Sequence, residues 1–228
     1  MVEDVRLQAL YPFLAGKRRD EDAIMAMLAG SVTGKAAHHA SVFTSFFTTH
    51  GEDVVAAART IADTYRKGGR LFTMGNGGSS CDAAHVAVEF QHPITAGRPA
   101  LTAINLSSDV AMLTGVGNDI GFDHIFLRQI IAQARPGDSL IGLSTSGNSE
   151  NLQLAFGKAR EMGVTTIGLA GGTGGRMAKA GLDHCLVVPS DSIHRVQECH
   201  VAIYHILWDL VHTLLADDRG RPADQAAE

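Results

Sequence analysis

Arg70-Leu71-Phe72-Thr73-Met74-Gly75-Asn76-Gly77-Gly78-Ser79-Ser80 is the stretch that decides the fold. It reads as a short apolar strand over 70–74 that breaks into a glycine turn and launches a helix over 79–91. The same grammar recurs downstream, where a strand over 139–143 runs into Ser144-Thr145-Ser146-Gly147-Asn148-Ser149 and a helix over 149–161. A tight turn between a strand and a helix N-terminus aims backbone N–H groups and the positive end of the helix dipole at one point, a setting for an anion. The second turn adds hydroxyl donors. Neither turn is a nucleotide fingerprint, because Ser80 stands where a dinucleotide loop requires its third glycine. Thr33-Gly34-Lys35-Ala36 has the wrong glycine spacing for a triphosphate loop, and Ala36 offers no magnesium ligand. The expected ligand is a phosphorylated small molecule, with no nucleotide cofactor.

Outward from these turns, short apolar runs over 101–105, 165–169 and 184–188 alternate with helix-period segments over 109–115, 119–134 and 192–215. Strand–helix alternation at this spacing predicts an α/β fold, a parallel sheet sandwiched between two layers of helices. Ligands of such sheets sit at the carboxyl ends of the strands, where both turns fall. Residues 22–65 carry helical periodicity, with Gly30 and Gly34 separating two helices and Gly51 interrupting a third. Val42, Phe43, Phe46 and Phe47 form a wide apolar stripe that suits a core or a second subunit. The expected organisation is an N-terminal helical extension over 1–38, one α/β domain over 39–216 and a frayed polar tail over 217–228.

The bulk composition narrows the function. The chain has 228 residues, 45% of them hydrophobic, enough for one well-packed domain, and a formal charge of −5 that draws no polyanion. Lys17-Arg18-Arg19 is cancelled at once by Asp20-Glu21-Asp22, so no nucleic-acid partner is expected. Cys81, Cys185 and Cys199 fit neither paired-zinc spacing nor a disulfide framework, which points to a reducing cytoplasm. Glu3 and Asp4 with no long apolar run behind them lead us to expect no secretory signal, and no stretch reads as a membrane span.

A phosphate cradle transforms nothing by itself. Within the helix launched by the first turn, His85 and Glu89 stand four residues apart, on one face and one turn from each other. Gln197 and His205 are eight apart in the last helix, so both can face one groove. Two imidazoles, a carboxylate and an amide can bind a zinc-like ion, or can supply a carboxylate base and an imidazole acid. Taken singly, each has a plainer reading: His85 and Glu89 as a surface pair, His205 among Ile203, Ile206 and Leu207 as a core histidine. His92, His124, His184, His194, His200 and His212 have no chemical role in this reading.

The order of these motifs resembles the sugar isomerase (SIS) domain of the phosphoheptose isomerase family. The resemblance is carried by Gly75-Asn76-Gly77-Gly78-Ser79 with His85 and Glu89, Gly117-Asn118-Asp119, Ser144-Thr145-Ser146-Gly147-Asn148-Ser149 and Arg195-Val196-Gln197-Glu198-Cys199-His200, over residues 40–215. It implies a five-stranded parallel sheet of flavodoxin-like order and a homotetramer with shared active sites. The implied reaction interconverts sedoheptulose 7-phosphate and D-glycero-D-manno-heptose 7-phosphate. Glu89 and His205 would be catalytic. Asn76, Gly77, Gly78, Glu89, Asn118, Asp119, Ser144, Thr145, Ser146, Ser149 and Gln197 would touch substrate. His85, Glu89, Gln197 and His205 would hold one zinc ion. The family usually continues Leu-Thr-Gly-Arg after Glu89, where this chain has Phe90-Gln91-His92-Pro93. An isomerase of another ketose phosphate, or a phosphosugar- or protein-binding module without turnover, are the alternatives.

Overall fold

A computed structural model describes residues 21–217. The charge cluster at 17–20 and the tail beyond 217 lie outside the described residues. In chain order the elements are α1 (Glu21–Arg66), β1 (Leu71–Gly75), α2 (Gly78–Gln91), β2 (Ala103–Asn105), α3 (Val110–Asp119), a 3-10 turn (Phe122–His124), α4 (Ile125–Gln133), β3 (Ser139–Ser144), α5 (Glu150–Glu161), β4 (Thr165–Gly171), a second 3-10 turn (Met177–Lys179), β5 (His184–Val188) and α6 (Ile193–Asp217). Two compact units divide within α1, residues 1–41 and 42–228. Of the first, the described part is the helical stretch 21–41, which exposes Met25, Met27, Leu28 and Val32.

The second unit is built on five parallel strands in the order β2-β1-β3-β4-β5. Every strand of such a sheet is covered on both faces, and the strand residues alternate accordingly. Leu71, Ile141, Leu143, Ile167, Leu169, Leu186 and Val188 join one core with residues of α1, α2 and α6. Phe72, Met74, Leu140 and Ala170 join the other with α4 and α5. Thr73, fully buried, satisfies its hydroxyl on the main-chain oxygen of Ala83 at 2.8 Å and so ties β1 to α2. The five-stranded, three-layer α/β fold expected from the alternation is the one observed.

Three local expectations are corrected. Gly30, Gly34 and Gly51 do not divide helices: α1 runs unbroken for 46 residues. A glycine costs a helix interior only about 1 kcal/mol, and the helix-forming residues around them outweigh it. The helix expected from 119 to 134 begins only at Ile125, because Gly121 at φ 104° turns the chain out of helix after Asp119. Residues of α6 are long and apolar enough by composition to match a membrane span. Its Val196, Cys199, Ile203, Tyr204, Leu207 and Val211 are buried in the core with the sheet, so the apolarity is that of a core helix.

Candidate functional site

The order β2-β1-β3 places the chain reversal between β1 and β3, where the first crossover leaves to one side and the next to the other. Both glycine/serine turns leave the carboxyl ends of these two neighbours. An amide pair fastens them together: Asn76 Nδ2 donates to Asn151 Oδ1 and Asn151 Nδ2 donates to Asn76 Oδ1, each at 2.9 Å. Ser107, after β2, adds a third tie, its hydroxyl donating to the Gly75 carbonyl at 3.0 Å.

The serine turn is locked from within. Gly147 N–H donates to Ser144 Oγ at 3.2 Å, Asn148 N–H to Ser146 Oγ at 3.2 Å, and the Ser144 and Ser149 hydroxyls lie 3.2 Å apart. Gly147 has φ 64°, and a Cβ there would stand 2.0 Å from the Gly174 carbonyl, so only glycine serves. Ser149 caps α5 through its backbone alone, which leaves its hydroxyl turned to Ser144. Thr145 and Ser146 line a cavity of about 330 Å³ with Gly171, Gly172, Thr173, Ser190 and Asp191.

Helices α2 and α6 run side by side in the same direction, and their residues pair in step. At the head, the Gln197 amide packs against Gly78, where a Cβ would come within 2.3 Å of Nε2. Two turns on, His85 Nε2 lies 3.0 Å from Glu89 Oε1 and 3.5 Å from His205 Nε2. One further turn on, Trp208 Nε1 donates to the Glu89 carbonyl at 2.8 Å. The ligand atoms of His85, Glu89 and His205 all fall within 4.8 Å of one another. Donors around a tetrahedral zinc at about 2.0–2.1 Å stand roughly 3.4 Å apart, so this imidazole–carboxylate–imidazole set fits such an ion with small side-chain adjustments. Burial, with His85 beside it, holds His205 below the usual imidazole range against the raising effect of Glu89. A neutral ring is the form that can ligate a metal or accept a proton.

The structure thus gathers His85, Glu89 and His205 in the groove between α2 and α6, and Asn76, Ser144, Thr145, Ser146 and Ser149 at the carboxyl ends of β1 and β3. Gln197 marks the head of the groove between α2 and α6 rather than the three-residue cluster. Asn118 and Asp119 end α3, where Asn118 Nδ2 donates to Asp119 Oδ1 at 2.9 Å. Asp119 also lines a groove of about 470 Å³ with Met112, Val116, Ile120 and Arg128. Among the described residues no hydrogen bond joins either to the serine turn. Three participants went unmarked in the sequence: Asn151, Trp208 and Tyr204, whose hydroxyl lies 2.8 Å from His85 Nδ1. The available signal was spacing, since Tyr204 adjoins His205 and Trp208 follows Tyr204 by one turn.

Comparison with known proteins agrees with this geometry. Residues 36–171 match the SIS domain family. The phosphoheptose isomerase of Trichlorobacter lovleyi is 49% identical over 158 residues, 69% of this chain and 80% of that protein. Among solved structures, the phosphoheptose isomerase of Neisseria gonorrhoeae superposes with a TM-score of 0.76 at 36% identity, covering 81% of this chain and 98% of its own. That of Francisella tularensis gives 0.78 at 32% identity, over 81% and 97%.

Proposed function

Since the chain belongs to the phosphoheptose isomerase family of SIS domains, we propose that it interconverts sedoheptulose 7-phosphate and D-glycero-D-manno-heptose 7-phosphate. The single observation that carries this reading is the joining of the Glu89 carboxylate and the His205 imidazole, from helices far apart in sequence, within 4.8 Å. A ketose becomes an aldose when the proton on C1 leaves, an enediol forms, and a proton is returned to C2. Glu89 Oε1 faces His85, and Oε2 is the base that takes and returns the carbon-bound proton. His205 moves the hydroxyl proton from O1 to O2, so charge does not build up on either oxygen. The serine hydroxyls and the N-terminus of α5 hold the phosphate at the far end of the sugar.

A zinc ion would be held by His85, Glu89 and His205, whose ligand atoms cluster, while Gln197, the further donor implied by the family resemblance, stands two turns away in the same chain, against Gly78. The ion would act as a Lewis acid toward the carbonyl and hydroxyl oxygens. Asn118 and Asp119 reach substrate from a neighbouring subunit in a homotetramer. Supporting this, α3 buries none of its residues, and Val110, Ile120 and Phe122 are 70%, 51% and 59% exposed. We place the enzyme in the cytoplasm, in keeping with three free cysteines and a phosphorylated substrate.

The test is turnover of sedoheptulose 7-phosphate by the purified chain, followed by NMR of the new aldose with and without chelator. Aldose formation that chelator suppresses supports both the reaction and the ion. Binding without turnover, before and after zinc, refutes the enzymatic reading.

A further inference from the structure

Tyr204 sits beside the cluster without belonging to the ligand set. Its side chain is 2% exposed, its hydroxyl is 2.8 Å from His85 Nδ1, and the two rings meet edge-on at 5.2 Å between centroids. The other nitrogen of the same imidazole, Nε2, is the one 3.0 Å from Glu89 Oε1. An ionised carboxylate can only accept, so this contact places the proton of a neutral His85 on Nε2 and leaves Nδ1 bare. A bare Nδ1 is an acceptor, and the Tyr204 O–H is its donor. A cation at the cluster requires the Nε2 lone pair, which moves the ring proton to Nδ1. There it meets the Tyr204 oxygen, which can accept as well as donate. A carbonyl or carboxylate in that place would serve one of these states, a phenol serves both, and the ring charge does not change.

We propose that Tyr204 is a positioning residue that tethers His85 through Nδ1 and reverses the direction of that hydrogen bond when a cation takes Nε2. The reversal rests on the reading of His85 as a cation ligand, whereas the tether belongs to the metal-free chain. Its location makes it effective: Tyr204 is adjacent to His205 on α6, with ring centroids 4.9 Å apart, so one phenol spaces both imidazoles.

The experiment uses the full chain and its Tyr204→Phe variant, which keeps the ring and removes only the oxygen. Long-range ¹H–¹⁵N spectra of the imidazoles are recorded without metal and during zinc addition, and zinc affinity is measured by competition with a chromophoric chelator. In the unsubstituted chain His85 is expected to carry its proton on Nε2 without metal and on Nδ1 with zinc, a measurement that needs no variant to fold. Tyr204→Phe is expected to mix the two metal-free tautomers and to weaken zinc binding about 10- to 100-fold. Unchanged His85 nitrogen shifts and unchanged zinc affinity in Tyr204→Phe overturn the proposal, and an Nδ1 proton already present without metal overturns the reversal. An unsubstituted chain that binds no zinc, while Tyr204→Phe still moves the His85 signals, upholds the tether and refutes the cation reading.

Discussion

His200 shows what burial alone does to a histidine in this chain. It is fully buried, its Nε2 donates to the Ala170 carbonyl at 3.2 Å, and burial pushes its pKa down to about 4. In the unfolded chain the same ring titrates near 6.5. The folded pKa is the lower one, so the unfolded state binds the extra proton between these values. The stability held by the neutral ring is therefore complete above about pH 6.5 and is lost as pH falls toward 4, by about 3 kcal/mol in all. Denaturant unfolding at matched protein concentration should show that much greater loss between pH 7 and pH 4 for the natural chain than for His200→Gln. Equal losses would mean that His200 is accessible to protons in the fold. A histidine in an apolar helix is legible as such in sequence, but its function is not: His200 and His205 share one helix and one kind of neighbourhood. Only the groove formed with α2 separates the core residue from the one beside Glu89, and that groove is a tertiary fact.

At the scale of elements, the two turns work because they are held in fixed relation, and Asn151 holds them. Removing it takes away both amide bonds and strands the Asn76 side chain, at a cost of about 1–3 kcal/mol. Asn151→Ala should raise KM for the sugar phosphate more than it lowers kcat, because in the proposed reaction the loops grip the phosphate and Glu89 and His205 move the protons. A fall in kcat alone, at unchanged KM, would contradict that division of labour. The strands and the helices that follow them were readable because both faces of a parallel sheet demand apolar runs of strand length and the turns carry glycine. The length of α1 was not, since glycine weakens a helix without forbidding it. Neither was the late start of α4: Ile120, Phe122 and Ile125 keep apolar residues recurring through 119–125, and the positive φ of Gly121 marks the break. Asn151 stood inside a helix-period segment, where nothing in its spacing announces a partner 75 residues away.

For the whole molecule, a helix as apolar as α3 with no buried residue is what the proposed assembly requires, since a neighbouring subunit would cover it. If that subunit also brings Asn118 and Asp119 to the sugar, two damaged chains can repair each other. Glu89→Gln and Asn118→Ala chains, each inactive alone, should regain part of the activity once mixed and reassembled, because some sites then receive both intact contributions. Failure to regain any activity in verified mixed assemblies would mean each site is complete within one chain. Assembly was implied by family resemblance and not by any single residue, because a stripe such as Val42, Phe43, Phe46 and Phe47 looks the same whether a core or a partner covers it. The proposed proton transfer depends on Glu89 as the base, and its most direct test is the single-turnover rate of Glu89→Gln with sedoheptulose 7-phosphate, measured beside the binding of that sugar. A loss of at least about 10²-fold in rate, with the sugar still bound, is the predicted result; turnover near that of the natural chain would contradict it.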